Sequence, residues 1–494
     1  MPLGRGLFFL GPILLTAVGL RLLGLGWGIP LYTAELAAHN RVRSSFHPDE
    51  DKILWQLERM RPSALDLDPK DFGWGSLETY VVGASFGVGD RAGVFGHEGW
   101  RAAFRDARQP FFGRVFVLGR LCAAGFGLAT VLLAYCVARH CGGPVAGTLA
   151  AALVAVSPLH VLHSHYLTSD VALGFWLLTA AWLSLRDQPL GAAFVAGLAL
   201  ATKPSAFAVA PVWLVAPNAP AFLRRAAAFG IGFLIGEPYA LLAFCDWFAR
   251  TREIAVAVSA RGPESIPVAR LMLEHGWQIA AYGLGPVALI LALVGLSRLP
   301  VRFASLCAAL AISLFFSRFP MSRYVVPLLP LLAVACGVAL AKLPRGWLAG
   351  ASTLALAPPL ALSLALVGVL RDDHTATRAA RWVLDQAPPG ARIAKLWDEI
   401  PLLDAERYQL EPLSDPFGLE ARAYPQSASD LIVLDDLPIH AWRPELLEDL
   451  ERRFRLVAVF SNPPRLLGLP LPEPMAAHDW KYTHPVIRIY ERRP

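Results

Sequence analysis

A chain of 494 residues that is 55% hydrophobic and only 17% charged, with a mean hydropathy of +0.46, falls well short of the roughly 25% charge usual in soluble domains. It reads as a polytopic membrane protein. The net charge of +6 is spread over short loops rather than gathered in a stripe, which argues against nucleic acid as a partner, and the six cysteines, without a C-x-x-C pair, suggest no disulfide framework or cysteine zinc site.

The first apolar run, near 7–31, is longer than the h-region of about 7–15 residues in a signal peptide and continues through Arg21, so an uncleaved transmembrane helix is expected. Arg21 would either snorkel or pair with a neighbouring helix. The chain then turns polar and reaches His47-Pro48-Asp49-Glu50, two adjacent acids just beyond a membrane segment. Acids held there do chemistry or bind cations; equally, Pro48-Asp49-Glu50-Asp51 suits the first turn of a helix through Lys52-Ile53-Leu54-Trp55.

Apolar stretches recur near 114–138, 144–158, 169–185, 190–216, 226–244, 276–297, 302–317, 324–342 and 346–370. Arg139-His140, Arg186, Arg224-Arg225, Arg298 to Arg302 and Lys342 to Arg345 make short basic turns that belong in the cytoplasm, which leaves 32–113, 245–275 and 371–494 outside. That parity requires 190–216 to cross and return, with a break at Thr202-Lys203-Pro204-Ser205. Each half, about 17 Å of helix, is too short to span a core of about 30 Å alone. The expected architecture is α-helical and polytopic, with about eleven passes by this apolar-stretch reading, the amino terminus inside and residues 1–370 as the membrane domain.

After Leu370 the pattern changes. Thr375 to Gln386 reads as an amphipathic helix ended by Pro388-Pro389-Gly390, followed by short strands at Arg392–Leu396, Leu431–Leu434, Leu456–Phe460 and Val486–Tyr490, with a helix at Glu445–Arg453. Residues 371–494 are therefore expected to form a small extracytoplasmic α/β domain.

Four segments on the outer side carry candidate chemistry: 47–50, Ser157 to Asp170, Lys203, and Ser317 to Tyr324. Lys203 interrupts an apolar stretch, so its ammonium needs a partner, a phosphate by preference, unless it snorkels at a helix end. Arg318 and Arg323 break the positive-inside pattern, which points to a local anion or to lipid headgroups. Asp170 offers a carboxylate or an N-cap for the helix that follows. His160, His163 and His165 suit either a divalent metal ion or ordinary hydrogen bonding. Carboxylates and cations on one membrane surface are what transfer of a sugar from a polyprenyl phosphate requires, since a base must take the acceptor's proton while cations stabilise the departing phosphate.

The order of Leu25-Gly26-Trp27-Gly28-Ile29-Pro30, Phe46-His47-Pro48-Asp49-Glu50, Ser157-Pro158-Leu159-His160 to Ser164-His165-Tyr166-Leu167-Thr168-Ser169-Asp170, Thr202-Lys203-Pro204 and Arg323-Tyr324-Val325-Val326-Pro327 resembles the GT-C glycosyltransferases. More narrowly, it is similar to bacterial relatives of protein O-mannosyltransferases and of the lipid A aminoarabinose transferase. The resemblance implies an inverting glycosyltransferase of the bacterial inner membrane that uses a polyprenyl-phosphate-linked sugar, with a protein, lipid or polysaccharide acceptor. It implies Asp49 as the catalytic base, Glu50 in support, Asp170 as a second carboxylate, His47 and His165 lining the site, and Lys203 with Arg318 or Arg323 on the carrier phosphate. Where many relatives carry Pro-Pro-Leu before a tyrosine, this chain has Gly75-Ser76-Leu77 before Tyr80. Trp74 and Lys70 are left out of the expected site for that reason. The rival class is a secondary transporter or lipid flippase, for which intramembrane charges and broken helices are also normal.

Overall fold

The computed structural model describes residues 3–29, 45–106, 109–260, 267–316, 320–395, 403–413, 429–437 and 444–493. The chain divides into two compact units. One comprises Met1–Leu25, Lys52–Gly87 and Leu118–Leu366; the other comprises Gly26–Asp51, Val88–Val117 and Val367–Pro494.

Among the helices are α1 (Leu3–Leu22), α2 (Glu50–Arg59), α3 (Ser76–Arg91), α4 (Phe112–Val156), α5 (Pro158–His163), α6 (Asp170–Leu185), α7 (Pro189–Thr202), α8 (Ala219–Gly236), α9 (Val268–Trp277), α10 (Pro286–Leu296), α11 (Leu329–Leu340) and α12 (Arg345–Arg371). The two apolar stretches read at 114–138 and 144–158 lie on either side of a break in α4 at Gly143, whose φ of 85° only glycine adopts easily and which makes two helices of it, with Pro144 next; the chain folds back there, since a Cβ on Gly147 would overlap the Tyr135 carbonyl and Arg139. Arg139-His140 sits in the last helical turn before that break, at the basic turn between the two helices. Among the described residues four helical segments are long and apolar enough to cross a membrane: Phe112–Val156, Ala219–Gly236, Ser322–Leu340 and Arg345–Gln386. A fifth is the pair Val268–Gly283 and Pro286–Leu296, bent by 112°. The remaining apolar stretches are helices of 10–17 residues, Asp170–Leu185 and Pro189–Thr202 among them. The protein is a multi-pass membrane protein.

Every residue of α11 is buried, as suits a helix that is apolar all round. It meets α10 where a side chain on Gly295 would overlap the Ala335 carbonyl. The α7 and α8 helices approach equally closely, since Gly197 faces the Phe229 carbonyl and Gly232 faces that of Phe194. Small residues that let backbones touch are what helix pairs use where lipid removes the hydrophobic drive. Arg21 does not snorkel: fully buried, it donates from Nη1 to the Ala155 carbonyl (3.0 Å) and from Nη2 to that of Val154 (2.9 Å). A cation on the last carbonyls of α4 is favoured by both hydrogen bonding and the helix dipole.

The second unit holds a five-stranded sheet of β1 (Arg392–Lys395), β2 (Gln409–Pro412), β3 (Leu431–Leu434), β4 (Phe454–Phe460) and β7 (Ile487–Arg492), with β5 (Arg465–Leu466) and β6 (Leu469–Pro470) forming a separate hairpin. The order is β2-β1-β3-β7-β4. Strand β1 runs parallel to β2 and β3, while β7 is antiparallel to β3 and β4. Ala394, Leu413, Ile432, Leu434, Leu450, Phe454 and Tyr490 form its core. Helices α13 (Thr375–Gln386) and α14 (Pro444–Arg453) fall where the sequence places them. The expected first strand's last residue, Leu396, lies outside the described residues.

Candidate active site

Lys203 follows α7 as its C-cap with extended backbone (φ −154°, ψ 128°). Pro204 dictates this, because its ring disfavours helical geometry in the residue before it. The lysine side chain is buried and pairs with Asp170 Oδ1. Asp170 is the first residue of α6, whose N-cap Ser169 makes no side-chain cap bond; among the described residues Asp170 Oδ2 has no hydrogen-bond partner.

Two rings gather cations around this pair. The Trp74 ring centre is 5.5 Å from Lys203 Nζ, 5.1 Å from Lys52 Nζ and 5.9 Å from Arg323 Cζ. Tyr324 lies 5.8 Å from Lys203 Nζ and 5.7 Å from Arg323 Cζ. Such contacts draw on the ring quadrupole and strengthen as the cation is desolvated. The placement of Trp74 follows from its neighbours: a Cβ on Gly75 would overlap the Ala201 carbonyl and the Thr202 backbone, and Ser76 donates its N–H (2.7 Å) and hydroxyl (2.8 Å) to the Glu237 carboxylate. The Gly75-Ser76 pair is thus what lets this segment lie on the end of α7. The sequence reading left Trp74 out of the expected site, took Lys52 only as part of the helix after Asp49-Glu50, and included Tyr324 only as the end of the run that holds Arg323. Lys70 instead pairs with Asp68 at 2.6 Å. Arg323 is buried, and Arg318 lies outside the described residues.

The histidines disperse. His160 Nδ1 is 3.0 Å from Arg21 Nη2, and His163 Nε2 is 3.2 Å from Ser322 Oγ. His165 has both ring nitrogens 2.9 Å from backbone carbonyls, those of Val161 and Leu23. Among the described residues no group of three histidine, cysteine or acidic side chains is arranged to hold a metal ion.

In the second unit, Asp49 immediately precedes α2 and Glu50 opens it, where acids suit the helix dipole. Ser45 Oγ lies 2.5 Å from Glu50 Oε2 and accepts the His47 N–H at 3.1 Å. Asp49 donates its N–H to His47 Nδ1 at 3.2 Å. Glu50 is 0% exposed and Asp49 8%. Both acids are thus buried, with Glu50 tied to the loop through the Ser45 hydroxyl.

The sequence matches no family profile and no curated protein. The overall structure is similar to the apo crystal structure of the Archaeoglobus fulgidus oligosaccharyltransferase, with a TM-score of 0.53 and 12% identity over 94% of this chain and 75% of that one. It is also similar to apo ArnT from Cupriavidus metallidurans, with a TM-score of 0.50 and 13% identity over 98% of this chain and 97% of that one. The chain has the GT-C membrane fold with a small carboxyl-terminal sheet domain.

Proposed function

We propose that this protein is an inverting glycosyltransferase that moves a sugar from a polyprenyl-phosphate carrier to a hydroxyl or amine at the outer face of a bacterial inner membrane, with the amino terminus in the cytoplasm. The observation that carries the reading is the set of three cations, Lys52, Lys203 and Arg323, around Trp74 and Tyr324 in a membrane protein. A phosphate on a lipid suits such a cluster, because it supplies charge for the cations while its tail stays in the bilayer. The likeness to a solved oligosaccharyltransferase points to the same class of chemistry.

In this reading Asp49 takes the proton of the acceptor as its oxygen or nitrogen attacks the anomeric carbon. The bond from that carbon to the phosphate oxygen breaks and its electron pair stays on the phosphate, whose growing charge Lys203 and Arg323 stabilise. One in-line displacement inverts the anomeric centre and needs no covalent carboxylate. Asp170 holds Lys203 in place through their ion pair. The test is transfer of label from a radiolabelled polyprenyl-phosphate sugar to an acceptor by the purified protein in detergent. Label that stays on the lipid, together with uptake by protein-loaded vesicles, would replace the transferase with a transporter.

A further inference from the structure

We infer that Tyr482 and His374, from the far end of the chain, are positioning residues for Asp49. The inference rests on Asp49 being the base of the proposed transfer. Asp49 hangs by its amide on His47 Nδ1, 3.2 Å away. A ring nitrogen accepts that hydrogen bond only while it carries no proton, so the contact calls for the His47 tautomer with its hydrogen on Nε2. The orientation of that ring then fixes the backbone of Asp49.

Two side chains set it. The His47 ring lies edge-on to Tyr482, with centroids 5.2 Å apart and planes at 82°, and Tyr482 is flanked in the same way by His478 at 5.0 Å. One residue earlier, Phe46 stacks on His374 at 4.4 Å with planes 23° apart. The two gripping residues are joined to each other, because His374 Nε2 donates to the Tyr482 carbonyl at 2.8 Å. His374 is itself fixed at the start of α13, where its Nδ1 accepts the Ala376 N–H. The turn carrying Tyr482 is pinned by Glu473, which accepts from Trp480 Nε1 (2.5 Å) and Lys481 Nζ (2.9 Å) and lies 2.8 Å from His484 Nε2. Phe46, His47, His374 and Tyr482 are all buried. The catalytic loop and the carboxyl-terminal segment are thus one packed assembly, and misplacing a reacting group by about 1 Å costs on the order of 10²-fold in rate.

The experiment compares Tyr482→Ala with Tyr482→Phe in the full-length protein, measuring kcat, KM for the lipid-linked donor, and hydrogen exchange of the peptide containing residues 45–51. Tyr482→Ala should lower kcat roughly 10–100-fold, leave KM for the donor unchanged and speed exchange in that peptide; Tyr482→Phe, which keeps the ring edge, should restore all three. Wild-type kcat and exchange in the alanine variant would overturn the inference. If alanine unfolds the sheet unit, seen as fast exchange throughout 371–493, the decision passes to His47. There His47→Leu should lose kcat while His47→Asn, which keeps an acceptor near the Nδ1 position, should recover most of it; equal activity of the two would overturn the inference. A wild-type protein without transferase activity but with the same Tyr482-dependent exchange would overturn the transferase reading and leave the packing of the loop intact.

Discussion

Lys203 and Asp170 are 33 positions apart and form a buried ion pair, and each was visible in the sequence as a charge in an apolar setting. Lys52 was not, and Trp74 was left out because of the Gly75-Ser76 beside it; nothing in a linear pattern says that one indole sits among three cations, which follows from Gly75 lying against the end of α7. If the cluster holds a phosphate mainly by charge, Lys203→Ala should raise KM for the lipid donor strongly and Lys203→Arg should recover part of the loss, with initial rates as the measurement. A donor KM unchanged by both would leave Lys203 as the structural partner of Asp170. Asp49→Asn keeps the size and the amide bond to His47 but cannot accept a proton, so kcat should fall by roughly 10²–10⁴-fold while donor affinity and melting stay near wild type. Asp170→Asn should cost less, acting through Lys203. An active Asp49→Asn protein would leave that residue only a cap position just before α2.

At the scale of elements, breaks were more legible than lengths. Pro204 ends α7 at the position expected from Lys203-Pro204, and Gly143-Pro144, read as a boundary between two stretches, is where the backbone of α4 leaves helical geometry. Strand β2 escaped notice because Gln409-Leu410-Glu411-Pro412 is short, holds no β-branched residue and ends in Pro, and is a strand by virtue of pairing with β1. The turn at 473–484 also has no periodicity, and its order comes from a buried acid. Burial pushes the Glu473 carboxyl up, but the hydrogen bond from His484 and the charges of His484 and Lys481 outweigh it and bring it down to about 2. A folded value below the unfolded 4.5 adds stability above that pH, and the gain is lost as pH falls from about 4.5 to about 2. Glu473→Gln should therefore melt below wild type at pH 7, by on the order of 3 kcal/mol, and the gap should close across that acid window. A constant gap down to pH 2 would assign the loss to packing instead.

At the scale of the whole molecule, hydropathy revealed a multi-pass membrane protein with a small α/β domain, while the grouping of Gly26–Asp51 with Val367–Pro494 was hidden. Hydropathy and charge give each segment a place along the membrane normal, but only contacts such as Phe46 with His374 reveal which segments fold together. That grouping sharpens the expected topology. Asp49 and residues 371–493 must lie on one side of the membrane if Phe46 and His47 pack on His374 and Tyr482, and the basic residues Arg224 and Arg225, at the start of α8, should lie on the other. A periplasm-active reporter fused after Arg371 should therefore be active and one fused after Arg225 silent, with a cytoplasm-active reporter giving the reverse pattern. A cytoplasmic signal after Arg371 together with a periplasmic one after Arg225 would invert the protein. The cation cluster would still bind an anion, but the chemistry would then face the cytoplasm, where a nucleotide-linked sugar becomes the donor to test in place of a lipid-linked one.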